Sequence, residues 1–153
     1  MIQRLKKGLV SINTITVKTI TLYRPVGIKE LQLIMDSGWK KFPPRLVWQP
    51  IFYPVLNQPY AEQIASQWNT NDAFSGYCGI VTAFELKEAH YSKYAVQNVG
   101  GLIHNELWIP SGELELFNGN IVDVIHIVKV FVGPKFVLPE NKKLATELSK
   151  FIV

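Results

Sequence analysis

Thr21-Leu22-Tyr23-Arg24-Pro25-Val26-Gly27 sets the reading of the whole chain. Branched and aromatic residues make its first half a strand, and Pro25 and Gly27 end that strand just beyond Arg24. Directly afterwards Ile28, Leu31, Ile34 and Met35 recur at helical spacing, and Gly38 stands where a left-handed C-cap is usual. Residues 27–37 are therefore expected to form a short helix packed on a sheet, which makes the fold class α+β.

Upstream, residues 9–24 alternate branched and polar types without declaring one buried face, so residues 1–19 read as a leader or an extra strand and the ordered domain as starting near Ile20. The basic start with Arg4, Lys6 and Lys7 resembles an export signal, but Ser11, Asn13, Thr14, Thr16 and Lys18 break its apolar region. Downstream, Pro43, Pro44 and Pro50 make residues 41–50 an ordered loop.

The aromatic strand Ile51-Phe52-Tyr53-Pro54-Val55-Leu56 follows. Asn57 is then a credible N-cap and Pro59 suits a first turn, with Tyr60, Ile64, Ala65 and Trp68 on one helical face. Residues 69–76 form a polar turn region, and residues 79–86 and 94–99 read as strands joined by a charged loop. A strand carrying Glu106 and a Ser111-capped helix with Leu114 and Phe117 inward come next. Residues 123–132 carry apolar side chains on both faces and read as a central strand with His126 in the core. A last helix over residues 140–151 presents Leu144, Leu148 and Phe151 or Ile152 to the sheet.

A chain of 153 residues with 48% hydrophobic and 18% charged residues suits one ordinary core, and its apolar runs are interrupted well before a membrane span. The net charge of +4 is drawn largely from Lys and Arg near the two ends, with no cationic and aromatic stripe, so no nucleic-acid partner and no membrane partner are expected. Cys78 stands alone, which leaves no internal disulfide and no cysteine metal site; a reducing cytoplasm is the expected compartment. His90, His104 and His126 are scattered without ligand spacing, so no metal is expected, and phosphate-loop, dinucleotide-loop and nucleophile-elbow motifs are missing.

What chemistry there is lies in two charges at strand ends. Arg24 can hold a phosphate or carboxylate by a two-pronged hydrogen bond, or close a structural ion pair. In His104-Asn105-Glu106-Leu107-Trp108-Ile109-Pro110, alternation puts Glu106 and Trp108 on one face and Leu107 and Ile109 on the other. Glu106 is either a ligand contact or the cap of an edge. Glu85 reads as an acidic strand end turning outward into an exposed loop. Tyr23 and Tyr53 can stack on a planar ring or belong to the core.

The order of these segments resembles the ADP-ribosyltransferase fold, a mixed, mostly antiparallel split sheet with short flanking helices. More closely, Leu22-Tyr23-Arg24-Pro25-Val26-Gly27, Gly38-Trp39, Phe42-Pro43-Pro44-Arg45, Phe52-Tyr53-Pro54-Val55-Leu56-Asn57 and Glu106-Leu107-Trp108-Ile109-Pro110 are similar to small uncharacterised bacterial proteins labelled ADP-ribosylation/crystallin-like. The resemblance implies an ADP-ribosyltransferase-like domain over residues 20–133, with a C-terminal helix over residues 134–153 docked on it. It implies NAD or a related nucleotide-type small molecule as substrate or ligand and Glu106 as the catalytic carboxylate on the nicotinamide ribose. The cofactor-binding residues would be Arg24, on the phosphates, with Tyr23, Phe52, Tyr53, His104 and Trp108, Tyr53 facing the nicotinamide ring. The chain departs from the arginine-specific transferases at two places: Phe52-Tyr53-Pro54 replaces a Ser-Thr-Ser element, and His104 stands where Gln or Glu precedes the catalytic residue. It has none of the aspartate clusters of ADP-ribosyl hydrolases. The second expectation is a non-catalytic module that binds a protein partner through the proline-rich loop with Trp39, Phe42 and Trp48.

Overall fold

The computed structural model of the chain describes residues 7–12 and 15–152. Strand β1 (Lys7–Ile12) folds back on β2 (Ile15–Val26), with Lys7 opposite Ile20 and Ile12 opposite Ile15. β2 thus runs unbroken through residue 20, while Arg4 and Lys6 of the basic start lie outside the described residues. Helix α1 (Ile28–Asp36) follows, with Gly38 in the left-handed region at φ 76° as its cap predicts. After the loop come β3 (Ile51–Phe52) and α2 (Gln58–Gln67), whose first turn is closed by Asn57 Oδ1 accepting from the Tyr60 N–H at 2.8 Å.

Two 3-10 turns fill the polar region and lead into β4 (Cys78–Lys87), the short α3 (Glu88–Tyr91), and three two-residue strands: β5 (Gln97–Asn98), β6 (Asn105–Glu106) and β7 (Ile109–Pro110). Helix α4 (Leu114–Asn118), the long β8 (Ile121–Val132) and α5 (Lys142–Ser149) complete the fold. The main sheet has the order β1-β2-β4-β8, and β3–β7 and β5–β6 form separate pairs; every strand pairing among the described residues is antiparallel. The molecule is an α+β protein.

Alternation along β2 and β4 divides the packing between the two sheet faces. Ile20, Leu22 and Val26 join Ile80, Phe84 and Leu86 in the larger core, under Leu31 and Ile34 of α1 and Leu144 and Leu148 of α5. Phe42, Phe52, Phe84 and Phe117 form its centre, with Phe84 5.0 Å from Phe42 and 5.9 Å from Phe117 between ring centroids. Each such ring contributes about 1.5–3 kcal/mol by leaving water. The opposite face carries Tyr23 and Val81 against Tyr60, Ala61 and Ala65 of α2. There α2 lies so close to β4 that a Cβ on Gly79 would collide with the backbone of Ala65.

Several expectations are corrected. β8 is an edge strand, and its apolar residues on both faces reflect cover from both sides: Ile127 and Val130 pack on the larger core, Val128 and Phe131 on the smaller. His126 is exposed, because register shifts opposite Val81 to Glu85 and a left-handed Asp123 (φ 65°) change the phase of the strand. The loop after α1 meets this irregular stretch, where the Ile125 N–H donates to the Trp39 carbonyl at 2.7 Å. Trp68 is 73% exposed; it stands just past the end of α2 at Gln67, as the C-cap.

Residues 94–99 contain only the short β5, and α3 rather than a loop follows β4. Ser111 opens a 3-10 turn without a side-chain cap, although Leu114 and Phe117 point inward as expected. The last helix begins after an Asn141 cap, and Ile152 rather than Phe151 packs on the core. Phe42 is fully buried, which removes it from any surface of the proline-rich loop. Glu85 points inward: β4 continues past it to Lys87, and its Oε1 accepts from Thr21 at 3.0 Å and Thr19 at 3.4 Å.

Candidate functional site

Beyond Ile20, the outer edge of β2 has no regular strand among the described residues. Val55 makes an isolated bridge to Tyr23 on one side and to Glu106 on the other, with Tyr23 and Val55 exchanging hydrogen bonds of 2.9 and 2.8 Å. Bridged residues share a face, so Tyr23, Val55 and Glu106 all project toward α2. The Leu107 N–H donates to the Pro54 carbonyl at 2.9 Å, fixing the register that aims Glu106 inward while Leu107 and Ile109 are buried on the other side.

Glu106 is held on both oxygens. The Tyr60 hydroxyl donates to Oε2 at 2.9 Å and the Trp108 Nε1–H to Oε1 at 2.8 Å. Asn57, which caps α2 and so places Tyr60, also donates through Nδ2 to the Ile103 carbonyl at 2.8 Å, tying the start of the helix to the segment before Glu106. Burial, and after it the bond and charge of Glu106, push the Tyr60 hydroxyl up to about 12, so at neutral pH it remains a proton-bearing donor. His104 backs this arrangement. Its Nδ1 accepts from the Gly101 N–H at 3.0 Å, so the neutral ring carries its proton on Nε2 and donates to Gln63 Oε1 at 2.7 Å, and the ring lies 4.7 Å from that of Tyr60.

Arg24 leaves the sheet on the opposite face, with Leu22 and Val26. Its Nε and Nη2 donate to the two oxygens of Glu30 at 2.7 and 2.9 Å, a two-pronged pair between the end of β2 and the first turn of α1. Nη1 reaches the Tyr53 carbonyl at 3.4 Å, and the guanidinium sits 4.5 Å from the centroid of the fully buried Phe52 ring. The two charges nevertheless border one cleft of about 450 Å³, which lies beside the end of β2. Arg24, Tyr53, Val55, Ile64, Glu106 and Trp108 line it. Tyr53 and Trp108 keep 39% and 44% of their surface exposed, which leaves an aromatic face on each available to a planar ligand.

No protein-family model, curated protein or solved structure matches the chain. Of the residues singled out in the sequence, the structure brings Arg24, Tyr53, Glu106 and Trp108 to the cleft wall. Tyr23 is packed with Val55 and Tyr60, Phe52 lies under Arg24, and His104 supports Tyr60; none of the three is part of the lining.

Tyr60, Glu30 and Asn69 were not expected at the site. Tyr60 was legible as an inward position on α2, but its bond to Glu106 spans 46 residues and has no local signal. Asn69 lines the cleft, donates to Ser75 Oγ at 2.9 Å and keeps a buried Oδ1 that has no partner among the described residues. Among the described residues no three His, Cys, Asp or Glu side chains gather as a metal ion would require, and no helix is long and apolar enough to cross a membrane.

Proposed function

We propose that the cleft binds NAD or a related ADP-ribosyl compound and that the chain has an ADP-ribosyltransferase-like fold, cleaving its ligand or transferring from it. The observation that carries this reading is Glu106, fixed through both oxygens by Tyr60 and Trp108 at the wall of a cleft that Tyr53 and Arg24 also line. Departure of nicotinamide leaves positive charge on the ribose, and a carboxylate already oriented stabilises that charge more than it stabilises the bound ground state. Trp108 and Tyr53 supply stacking faces. Arg24 shares its fork with Glu30 and offers its remaining N–H groups to the ligand.

The fold assignment is supported by the segment order: an arginine at a strand end, a helix, a short aromatic strand feeding a second helix, and a late glutamate strand. Calorimetric titration with NAD, ADP-ribose and nicotinamide tests the binding, and absence of heat with all three would sink it. Release of nicotinamide from labelled NAD separates catalysis from binding. Glu106→Gln is expected to lower turnover roughly 100-fold or more with binding retained.

A second reading, a non-catalytic module for a protein partner on the same fold, rests on the tip of the proline-rich loop, where Val47 is fully exposed and Trp48 is 73% exposed. It is favoured over the first if Glu106→Gln leaves every function intact while Trp48→Ala removes a partner.

A further inference from the structure

Arg24, Pro25 and Asn69 also line a second cavity, of about 160 Å³, so the cleft continues past the end of β2. In this extension Arg24, Lys29 and Arg45 face a single carboxylate, Glu30. Glu30 is committed to Arg24, through both of its oxygens. Arg45 is the less satisfied guanidinium: it spends Nε on the Ile51 carbonyl at 3.0 Å and makes no ion pair among the described residues. Burial, and after it the repulsion of Arg24, lower its pKa despite the opposing charge of Glu30. Both guanidiniums lie near the Phe52 ring, at 4.5 and 5.9 Å from its centroid, which brings the two cations to one ring. Lys29 is exposed at the rim.

We propose that Arg45 and Lys29 form an anion subsite that holds the diphosphate group of the ligand of the cleft. The subsite rests on the reading of the cleft given above, because it places the diphosphate next to a ribose held at Glu106. A single carboxylate would satisfy one guanidinium and leave the other cation unpaired. A diphosphate carries at least two negative charges and several acceptor oxygens, which matches the excess of cations over Glu30.

Calorimetry on the wild type, Arg45→Gln, Arg45→Lys and Lys29→Gln, each checked by thermal melting, tests the subsite with three probes: ADP-ribose, nicotinamide riboside and inorganic pyrophosphate. Arg45→Gln is expected to weaken ADP-ribose about tenfold or more, Arg45→Lys to weaken it less, and Lys29→Gln to weaken it without touching the fold. Nicotinamide riboside, which has no phosphate, is expected to bind all four proteins alike. ADP-ribose binding equally well to the wild type, Arg45→Gln and Lys29→Gln overturns the subsite and leaves the ribose reading standing. If the wild type binds neither ribosyl compound, the ribose reading falls, and pyrophosphate decides the subsite alone. Pyrophosphate binding that Arg45→Gln and Lys29→Gln lose upholds the subsite, and no pyrophosphate binding overturns it. Should Arg45→Gln fail to fold, Lys29→Gln carries the same comparison.

Discussion

The two faces of the central strands β2 and β4 are built to different rules. One face packs Leu22, Phe84 and Leu86 into an aromatic core under α1 and α5, and Arg24 lies on the same face at the strand end. The other face sets Tyr23, Tyr60, Ala61 and Ala65 around Val81 and Val55, and carries Thr21, Glu85 and Glu106 on the same side. Large side chains stabilise the first by sheer apolar burial. The second depends on close backbone approach and on hydroxyls that donate to carboxylates. Arg24 and Glu106 belong to different faces and meet only where the sheet ends, so the site is a product of both.

Substitutions break this contrast in a graded way. Phe84→Ala, in the dry face, is expected to cost about 3–5 kcal/mol, measured by urea denaturation, while ligand affinity per folded molecule stays unchanged. Gly79→Ala is expected to cost about 1–3 kcal/mol by pushing α2 off β4, and, unlike Phe84→Ala, to weaken ligand binding because Tyr60 and Ile64 move with the helix. A Gly79→Ala protein with full stability and affinity would show that the close approach is not needed. Arg24→Gln leaves Glu30 without its two-pronged partner and is expected to cost about 1–3 kcal/mol, a loss that the double variant with Glu30→Gln should partly restore.

Tyr60→Phe is expected to cost about 1 kcal/mol and to change the alkaline limb of the stability curve. The Tyr60 hydroxyl is raised from 10.0 to about 12 in the fold, so its contribution is fully present below pH 10 and is lost as pH rises through 12. The wild type should therefore lose more stability than Tyr60→Phe over that interval, and equal slopes would rule the linkage out. Lys129→Gln, at the exposed 3.0 Å pair with Glu62 beside α2, is expected to change stability by less than about 1 kcal/mol.

Much of the dry face, and the start of α2 on the other, was legible in the sequence. The period of residues 28–35, the Asn57 cap and the inward Leu114 and Phe117 follow from local pattern, and the structure places them accordingly. Alternation in residues 104–110 also put Glu106 and Trp108 together correctly, because no irregularity intervenes. β8 was misread for the opposite reason. Val122 and Ile125 are both buried although three apart, a relation that strict alternation forbids and that a bulge near the left-handed Asp123 creates. The outward reading of Glu85 fails because its partners Thr19 and Thr21 lie more than 60 residues away in sequence, as invisible to local pattern as the bond from Tyr60 to Glu106. The pairing of Arg24 with Glu30 is only six residues long, but it requires the strand to end and the helix to turn back, which no periodicity reports.

The irregular β8 has a consequence for how copies of the chain meet. A long, straight edge strand with apolar residues on both faces is a template on which a neighbouring molecule can add its own strand. Here one backbone donor of the stretch, Ile125 N–H, is already spent on Trp39, and the left-handed Asp123 bends the ribbon beside it. Exposed Asp123, His126 and Lys129 add polar groups along the same stretch. The strand with the composition of a sheet interior is thereby a poor template for strand addition from another copy.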